Sequence, residues 1–248
     1  MVGLIGANGA GKSTLTRVLS GVTRPDAGEI HHLGRPIAPA SYGPAAASAL
    51  GVRVVYQELG RCTNLDVCEN FYVEQHATLA RGRRWRKAFA ERTRTALDQV
   101  FPGHGIDPRT RVGELSIAQR QMVEIARAAS MPGLRLLILD EPTSALGARQ
   151  TSLLMDALDA FTSRGVSILF ISHRLGEIVG VAHRIVVMRN GAKVWEGPNQ
   201  GVDEAELVER MTGESASAER ARYAPAGVLR DDVFVRTREL RTDVLQGL

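Results

Sequence analysis

A glycine-rich segment near the start of the chain, Gly6-Ala-Asn-Gly-Ala-Gly-Lys-Ser13, has the residue types that bind phosphate groups. Its glycines let backbone N–H groups turn inward around phosphate oxygens, and a helix that follows adds a favourable dipole. An ordinary glycine turn before a helix would need neither the lysine nor the serine. We therefore expect Lys12 to reach the β- and γ-phosphates of ATP and Ser13 to ligate Mg²⁺. The predicted ATP phosphate contacts are Gly6, Asn8, Gly9, Ala10, Gly11, Lys12, Ser13 and Thr14.

Two adjacent acidic residues, Asp140 and Glu141, follow an unbroken apolar run over residues 136–139. Carboxylates at the end of a buried strand are costly to desolvate unless a cation lies beside them. We expect Asp140 to hold Mg²⁺ through water and Glu141 to polarise an attacking water as a general base. Taken alone the pair also fits an acidic turn, but the phosphate-binding segment favours the catalytic interpretation.

Three further polar residues carry weak signals when each is taken alone. Gln57 follows a predicted strand and fits either a sensor of the γ-phosphate and Mg²⁺ or an ordinary surface residue. His173 follows a later buried strand and is either a similar sensor or a structural histidine. Ser116 opens a helix in Leu115-Ser-Ile-Ala-Gln119, where its role as an N-cap is a sufficient explanation.

Alternating strands and helices must position these residues. Met122, Ile125, Ala126 and Ala129 recur at the spacing of one helical face, within a stretch from about 65 to 130 whose pattern is helical. Asn190-Gly191 predicts a hairpin. Strands are predicted over 1–5, 28–34, 52–56, 136–139, 166–171, 184–188 and 193–195, with helices over about 12–19 and 203–211. Another helix is predicted between the strands at 136–139 and 166–171, with Leu154, Ala157, Leu158 and Phe161 on one face. The unbroken apolar runs suit a parallel sheet covered on both faces, so the predicted class is α/β.

Composition limits the classes of protein that remain. With 248 residues, 44% of them hydrophobic, the chain can bury a substantial core. Two cysteines make no disulfide framework and fit no common zinc spacing, so we expect free thiols in a reducing compartment. No apolar run approaches the roughly 20 residues that span a bilayer, which predicts a cytosolic chain. The net charge of +4 neither requires nor excludes nucleic acid.

Together these segments resemble the ABC ATPases. The phosphate segment, Gln57, Leu115-Ser-Ile-Ala-Gln119, residues 136–145 and His173 come in the order and spacing of that family. The resemblance covers about residues 1–213. It implies a P-loop NTPase (RecA-like) core with a mainly parallel sheet and an inserted α-helical subdomain at about 65–130. It also implies that two cassettes face each other, with each ATP between the phosphate loop of one and the signature of the other.

The resemblance also implies roles for individual residues. The signature would be Ser116, Ile117, Ala118 and Gln119, which would serve the ATP of the partner cassette. His173 would contact the γ-phosphate. Gln57 would couple to the membrane subunit and would join Ser13 and Asp140 around Mg²⁺. The catalytic set implied for this chain is therefore Glu141, His173 and Gln57.

Several segments are similar to one branch, the carbohydrate importers whose ATPase is two cassettes in tandem. These segments are 115–126, with alanine at 118, 55–58 and 171–178. The branch implies uptake of a monosaccharide of the ribose, xylose or galactose type and membrane permease subunits as partners. It also implies a periplasmic or lipoprotein sugar-binding protein and a place at the cytoplasmic face of the membrane. Residues 214–230 would then be a linker and 231–248 the start of a second cassette, present as a tandem or replaced by a homodimer.

Other interpretations stay open beside this one. A nucleoside importer shares the tandem arrangement. A soluble ABC ATPase that acts on nucleic acid or ribosomes is disfavoured by the signature and by the lack of a strongly basic insert, so no nucleic acid partner is expected. A third interpretation is a docking module without turnover. The family also has strands and an adenine-stacking aromatic before its phosphate loop. We expect these N-terminal strands to be missing here, either because the chain is a fragment or because its start codon is misplaced.

Overall fold

The structure, a computed structural model, describes residues 1–56, 62–75 and 85–213. Met1–Gly213 forms one compact unit. Gln57, the predicted linker over 214–230 and the predicted start of a second cassette over 231–248 lie outside the described residues.

Eight strands are described, and six of them form the central sheet. They are β1 (Val2–Ile5), β2 (Ile30–His32), β3 (Arg35–Ile37), β4 (Val52–Val55), β5 (Leu136–Asp140), β6 (Ser167–Ile171), β7 (Arg184–Arg189) and β8 (Ala192–Pro198). The central order is β4-β5-β6-β1-β7-β8. The pairs from β4 to β7 are parallel, and β8 runs antiparallel to β7. The predicted α/β class with a mainly parallel sheet is confirmed.

The unbroken apolar run of β5 is explained by burial on both faces of the sheet. Leu137 and Leu139 belong to the larger hydrophobic cluster, whereas Ile138 between them belongs to a second cluster on the other face. All three side chains are fully buried. Burial of such a side chain stabilises the fold by about 1.5–3 kcal/mol, so a polar residue has no place in this run until the strand ends.

Eight α-helices are described around the sheet. Three of them fall in the stretch from 65 to 130 that was predicted to be helical, while α2 and α7 were not predicted. No helix in the described part of the chain is both long and apolar enough to span a bilayer. The helices are α1 (Lys12–Leu19), α2 (Pro44–Ala49), α3 (Val67–Gln75), α4 (Trp85–Val100), α5 (Ile117–Ala129), α6 (Ala148–Ser163), α7 (Leu175–Val181) and α8 (Glu204–Thr212).

Two hairpins turn on residue pairs with positive φ. Asn190 and Gly191, with φ of 51° and 78°, join β7 to β8, which confirms that predicted hairpin. Leu33 and Gly34, with φ of 52° and 75°, join β2 to β3. The single strand predicted over 28–34 is therefore wrong at its end, because the chain reverses at Leu33 and pairs with itself.

Candidate functional site

The phosphate loop joins β1 to α1 in the conformation that its glycines permit. Gly9 and Gly11 have φ of 79° and 99°, a backbone region that residues other than glycine rarely adopt. The Lys12 ammonium Nζ donates to the carbonyl oxygens of Gly6 at 2.6 Å and Ala7 at 3.1 Å. The cation therefore lies against the backbone of the loop that is predicted to surround phosphate.

The turn between β7 and β8 supports this loop from behind. The Gly191 N–H donates to the Ala10 carbonyl oxygen at 3.1 Å. A Cβ atom at Gly6 would lie 2.4 Å from the Met188 carbonyl oxygen, a separation that real side chains do not show. Glycine is thus needed at position 6 for close approach to β7, in addition to any contact with phosphate.

One cavity brings the phosphate loop and the acidic pair together. It has a volume of about 290 Å³ and opens to solvent above the N-terminus of α1. The strand order explains the meeting, because parallel strands end at the same edge of a sheet. The cavity is lined by Asn8, Gly9, Ala10, Gly11, Lys12, Ser13, Thr14, Asp140 and Glu141.

Asp140 is a buried carboxyl group in an environment that disfavours its charge. Asp140 as a whole is only 9% exposed. Burial raises the pKa of Asp140, the charge of Glu141 raises it further, and Lys12 partly opposes both effects. A divalent cation would remove this penalty, and carboxylate and hydroxyl oxygens are the donors that Mg²⁺ prefers. Among the described residues no group of three or more His, Cys, Asp or Glu could hold a metal ion.

Glu141 has an unusual backbone conformation and a close neighbour on the next strand. Its φ of 49° is left-handed, and its N–H donates to the Ile171 carbonyl oxygen at 2.9 Å. Its Oε1 lies 3.1 Å from Nδ1 of His173. The His173 side chain is 61% exposed and that of Glu141 is 20% exposed. The structure therefore places His173 beside the predicted base, at the edge of the sheet where β5 and β6 end.

The signature residues lie elsewhere. Ser116 caps α5 reciprocally with Gln119: the Gln119 N–H donates to Ser116 Oγ at 3.2 Å, and the Ser116 N–H donates to Gln119 Oε1 at 3.0 Å. Ile117 is well exposed. Ser116, Ala118 and Gln119 line a separate cavity of about 360 Å³. The structure does not bring this segment to the phosphate loop of the same chain.

Sequence reasoning missed Glu177 and its partners. Glu177 lies in α7 and accepts hydrogen bonds from Thr143, after β5, and from Ser172, after β6. Segment 171–178 was noted for its resemblance to a transporter branch, but nothing in the spacing connects Glu177 with Thr143, which lies 34 positions away.

The fold and the cavity define a P-loop α/β protein with an acidic pair facing its phosphate loop. The family model described as ABC transporter matches residues 1–144, which is more than half of the sequence. The chain therefore belongs to the ABC transporter family.

Curated relatives cover most of this chain. It is 41% identical over 216 residues to Ribose import ATP-binding protein RbsA 2 of Streptomyces avermitilis, across 85% of this chain and 41% of that protein. It is 40% identical over 234 residues to Ribose import ATP-binding protein RbsA of Burkholderia pseudomallei, across 91% of this chain and 44% of that protein. The chain thus spans less than half the length of these relatives.

Solved structures support the fold. An ATP-binding cassette of an ABC transporter in its ADP conformation aligns with a TM-score of 0.68 at 24% identity, covering 86% of this chain and 88% of that one. A nucleotide-free ATP-binding cassette aligns with a TM-score of 0.70 at 22% identity, covering 88% of this chain and 86% of that one. At these identities the likeness bears on the fold alone.

Proposed function

We propose that this chain binds Mg·ATP in the phosphate-loop cavity and hydrolyses it. The observation that carries the proposal is the cavity in which the loop from Asn8 to Thr14 faces Asp140 and Glu141. Residues 1–213 would be the ATPase cassette, with a helical subdomain at about 65–130.

The phosphate loop would hold the nucleotide by its backbone and by Lys12. Inward-facing N–H groups and the N-terminus of α1 bind phosphate oxygens, and the Lys12 ammonium would exchange its carbonyl partners for the β- and γ-phosphates. Ser13, Asp140 and Gln57 would hold Mg²⁺, which when bound neutralises charge on the phosphates. The pKa of Asp140, raised by burial, would fall when the cation binds, because the cation favours the carboxylate.

Glu141 and His173 would act on the attacking water and the γ-phosphate. Glu141 is the more exposed residue of the acidic pair, and we assign it the role of general base, which orients the water and accepts its proton. His173 lies within 3.1 Å of Glu141 and is exposed enough to contact the γ-phosphate. Gln57, which lies outside the described residues, would complete the catalytic set.

The signature would act on a second nucleotide. Ser116, Ile117, Ala118 and Gln119 lie away from this chain's own cavity on an exposed helix start, as a contact with the ATP of a partner cassette requires. That partner would be a second cassette, joined in tandem through the linker at 214–230 and beginning at 231–248, or a second copy of this chain.

The cellular role we propose is powering the import of a monosaccharide. Relatives named ribose import ATP-binding proteins, 40–41% identical to this chain, support this class of cargo. The chain would then lie at the cytoplasmic face of the membrane on permease subunits, and a sugar-binding protein would deliver the cargo from outside.

The site is tested by Mg·ATP binding and turnover of the full 248-residue chain. Lys12→Ala should abolish binding, and Glu141→Gln should retain binding but lose turnover by about 100-fold or more. Lys87→Ala serves as the matched control, since it removes an exposed lysine from α4. Failure of the folded wild type to bind Mg·ATP, or equal turnover in Glu141→Gln and wild type, would contradict the assignment.

A further inference from the structure

Glu177, in the first turn of α7, has both carboxylate oxygens engaged in a nearly buried site. Its side chain is 13% exposed. Oε2 accepts from Thr143 Oγ1 at 2.7 Å and from Ser172 Oγ at 2.9 Å. Oε1 accepts from Arg174 Nη1 at 3.2 Å. One carboxylate therefore joins three segments of the chain.

The two hydroxyl donors belong to the loops that carry the proposed catalytic pair. Thr143 comes two residues after Glu141, and Ser172 comes directly before His173. Both are buried, so no bulk water can replace the carboxylate as their acceptor. Ser172 Oγ also accepts from the Arg174 N–H at 3.0 Å, so this hydroxyl is engaged both as a donor, to Glu177, and as an acceptor.

These bonds connect the loop that carries Glu141 to the loop that carries His173. They therefore help to set the 3.1 Å distance between the Glu141 carboxylate and the His173 ring. Hydrogen bonds to an ionised acceptor are about twice as strong as neutral ones, and both donors here share the same oxygen. We propose that Glu177 is a positioning residue for ATP hydrolysis, whose carboxylate holds the loop after β5 and the loop after β6 in register. The inference rests on the proposed function of the site.

A purely structural role for Glu177 makes a different prediction. The residue also lies in the first turn of α7, where an acidic side chain favours the helix, and its neighbour Ile178 is fully buried. If Glu177 served the helix alone, its removal would lower stability and leave the turnover of folded enzyme unchanged. The kinetic constants of folded protein therefore separate the two roles.

The first test is steady-state hydrolysis by Glu177→Ala in the full chain. We expect kcat to fall about 10- to 100-fold with KM for Mg·ATP within about twofold, because the phosphate loop is untouched. Glu177→Gln should recover part of the loss, since its amide oxygen still accepts from a hydroxyl. Glu206→Ala is the matched control: it removes another helical carboxylate with an arginine partner, Arg210, and should leave kcat unchanged.

A double variant tests whether the two loops act through this carboxylate. Thr143→Val removes a hydroxyl at nearly constant volume and should also lower kcat. Combined with Glu177→Ala it should add little, because the bond it breaks is already lost. If Glu177→Ala does not fold, Glu177→Gln and Thr143→Val carry the same comparison. Wild-type kcat in folded Glu177 variants would overturn the inference.

Amide hydrogen exchange tests the tie without any turnover. Peptides that contain residues 141–146 and 172–174 should exchange faster in Glu177→Ala than in wild type, with no change there in Glu206→Ala. Unchanged exchange in the Glu177 variant would refute the tie. A wild type that binds Mg·ATP without hydrolysing it would instead contradict the proposed function, while the exchange comparison would still decide whether Glu177 holds the two loops.

Discussion

Replacing Glu141 by glycine and by alanine isolates the free-energy cost of its backbone conformation. Both variants remove the carboxylate, its contact with His173 and its repulsion of Asp140. They differ only at Cβ, and Glu141 has a φ of 49°. At such an angle Cβ crowds the following carbonyl oxygen, which costs about 1–2 kcal/mol in any residue but glycine.

The net difference follows from two opposing effects. Glycine loses more conformational entropy on folding, which ordinarily makes alanine the more stable choice by about 0.4–1 kcal/mol. Taken at the midpoints of the two ranges, the subtraction leaves the glycine variant more stable by about 0.8 kcal/mol. In a unit of this size that difference raises Tm by about 1–4 °C. The usual order of stability should therefore be reversed at position 141.

Urea unfolding of the two variants measures this difference directly. The same pair at Asp156, exposed in the middle of α6, is the matched control, and there alanine should be more stable than glycine by about 1 kcal/mol. An alanine variant at 141 that equals or exceeds the glycine variant would refute the left-handed backbone. Both variants should lack turnover, so any stability gained at this position comes at the expense of activity.

Three further predictions concern charge, packing and reactivity. Burial raises the pKa of Asp140, so ionisation of this carboxyl group destabilises the fold as pH rises through that pKa. Asp140→Asn should therefore have a higher Tm than wild type at pH 7, and this difference in Tm should disappear as pH falls to 3.8. Urea unfolding of Gly21→Ala should show a free energy of unfolding about 2–3 kcal/mol below that of wild type. The added Cβ would lie 2.4 Å from the Gly43 carbonyl carbon, and the backbone φ at this position is 73°. Burial chiefly raises the pKa of Cys68 to about 11, so a thiol reagent at pH 8 should label exposed Cys62 alone; two labels by mass spectrometry in folded protein would contradict this.

Local chemistry made part of the site predictable from the sequence. The spacing from Gly6 to Ser13 specifies a turn and a helix start within a few residues, so the phosphate loop needs no knowledge of distant contacts. The run before Asp140 is apolar because β5 is buried on both faces, and that burial is visible as composition. Asn190-Gly191 is similarly local, because both residues tolerate positive φ.

Other features depend on tertiary contacts or on segments too short to show a period. The strand β3 has three residues, one of them Pro36, and the helix α7 includes Gly176 and Gly180. Neither element could therefore be predicted from the strand or helix propensities of its residues. The left-handed backbone of Glu141 is a property of the folded loop, with no signal in a glutamate. The contact of Glu177 with Thr143 arises because β5 and β6 are neighbours in the sheet, an order that the sequence does not state.

The position of β1 in the sheet has a consequence for how the protein is made. β1 lies between β6 and β7, with Val2 opposite Leu169 on one side and Arg184 on the other. The phosphate loop that follows β1 also rests on the turn after β7. On the ribosome, the nucleotide-binding segment therefore emerges long before the strands that hold it in place. A nascent chain that ends before Gly191 lacks the turn that contacts the phosphate loop, so the loop gains this support only near the end of synthesis of this unit.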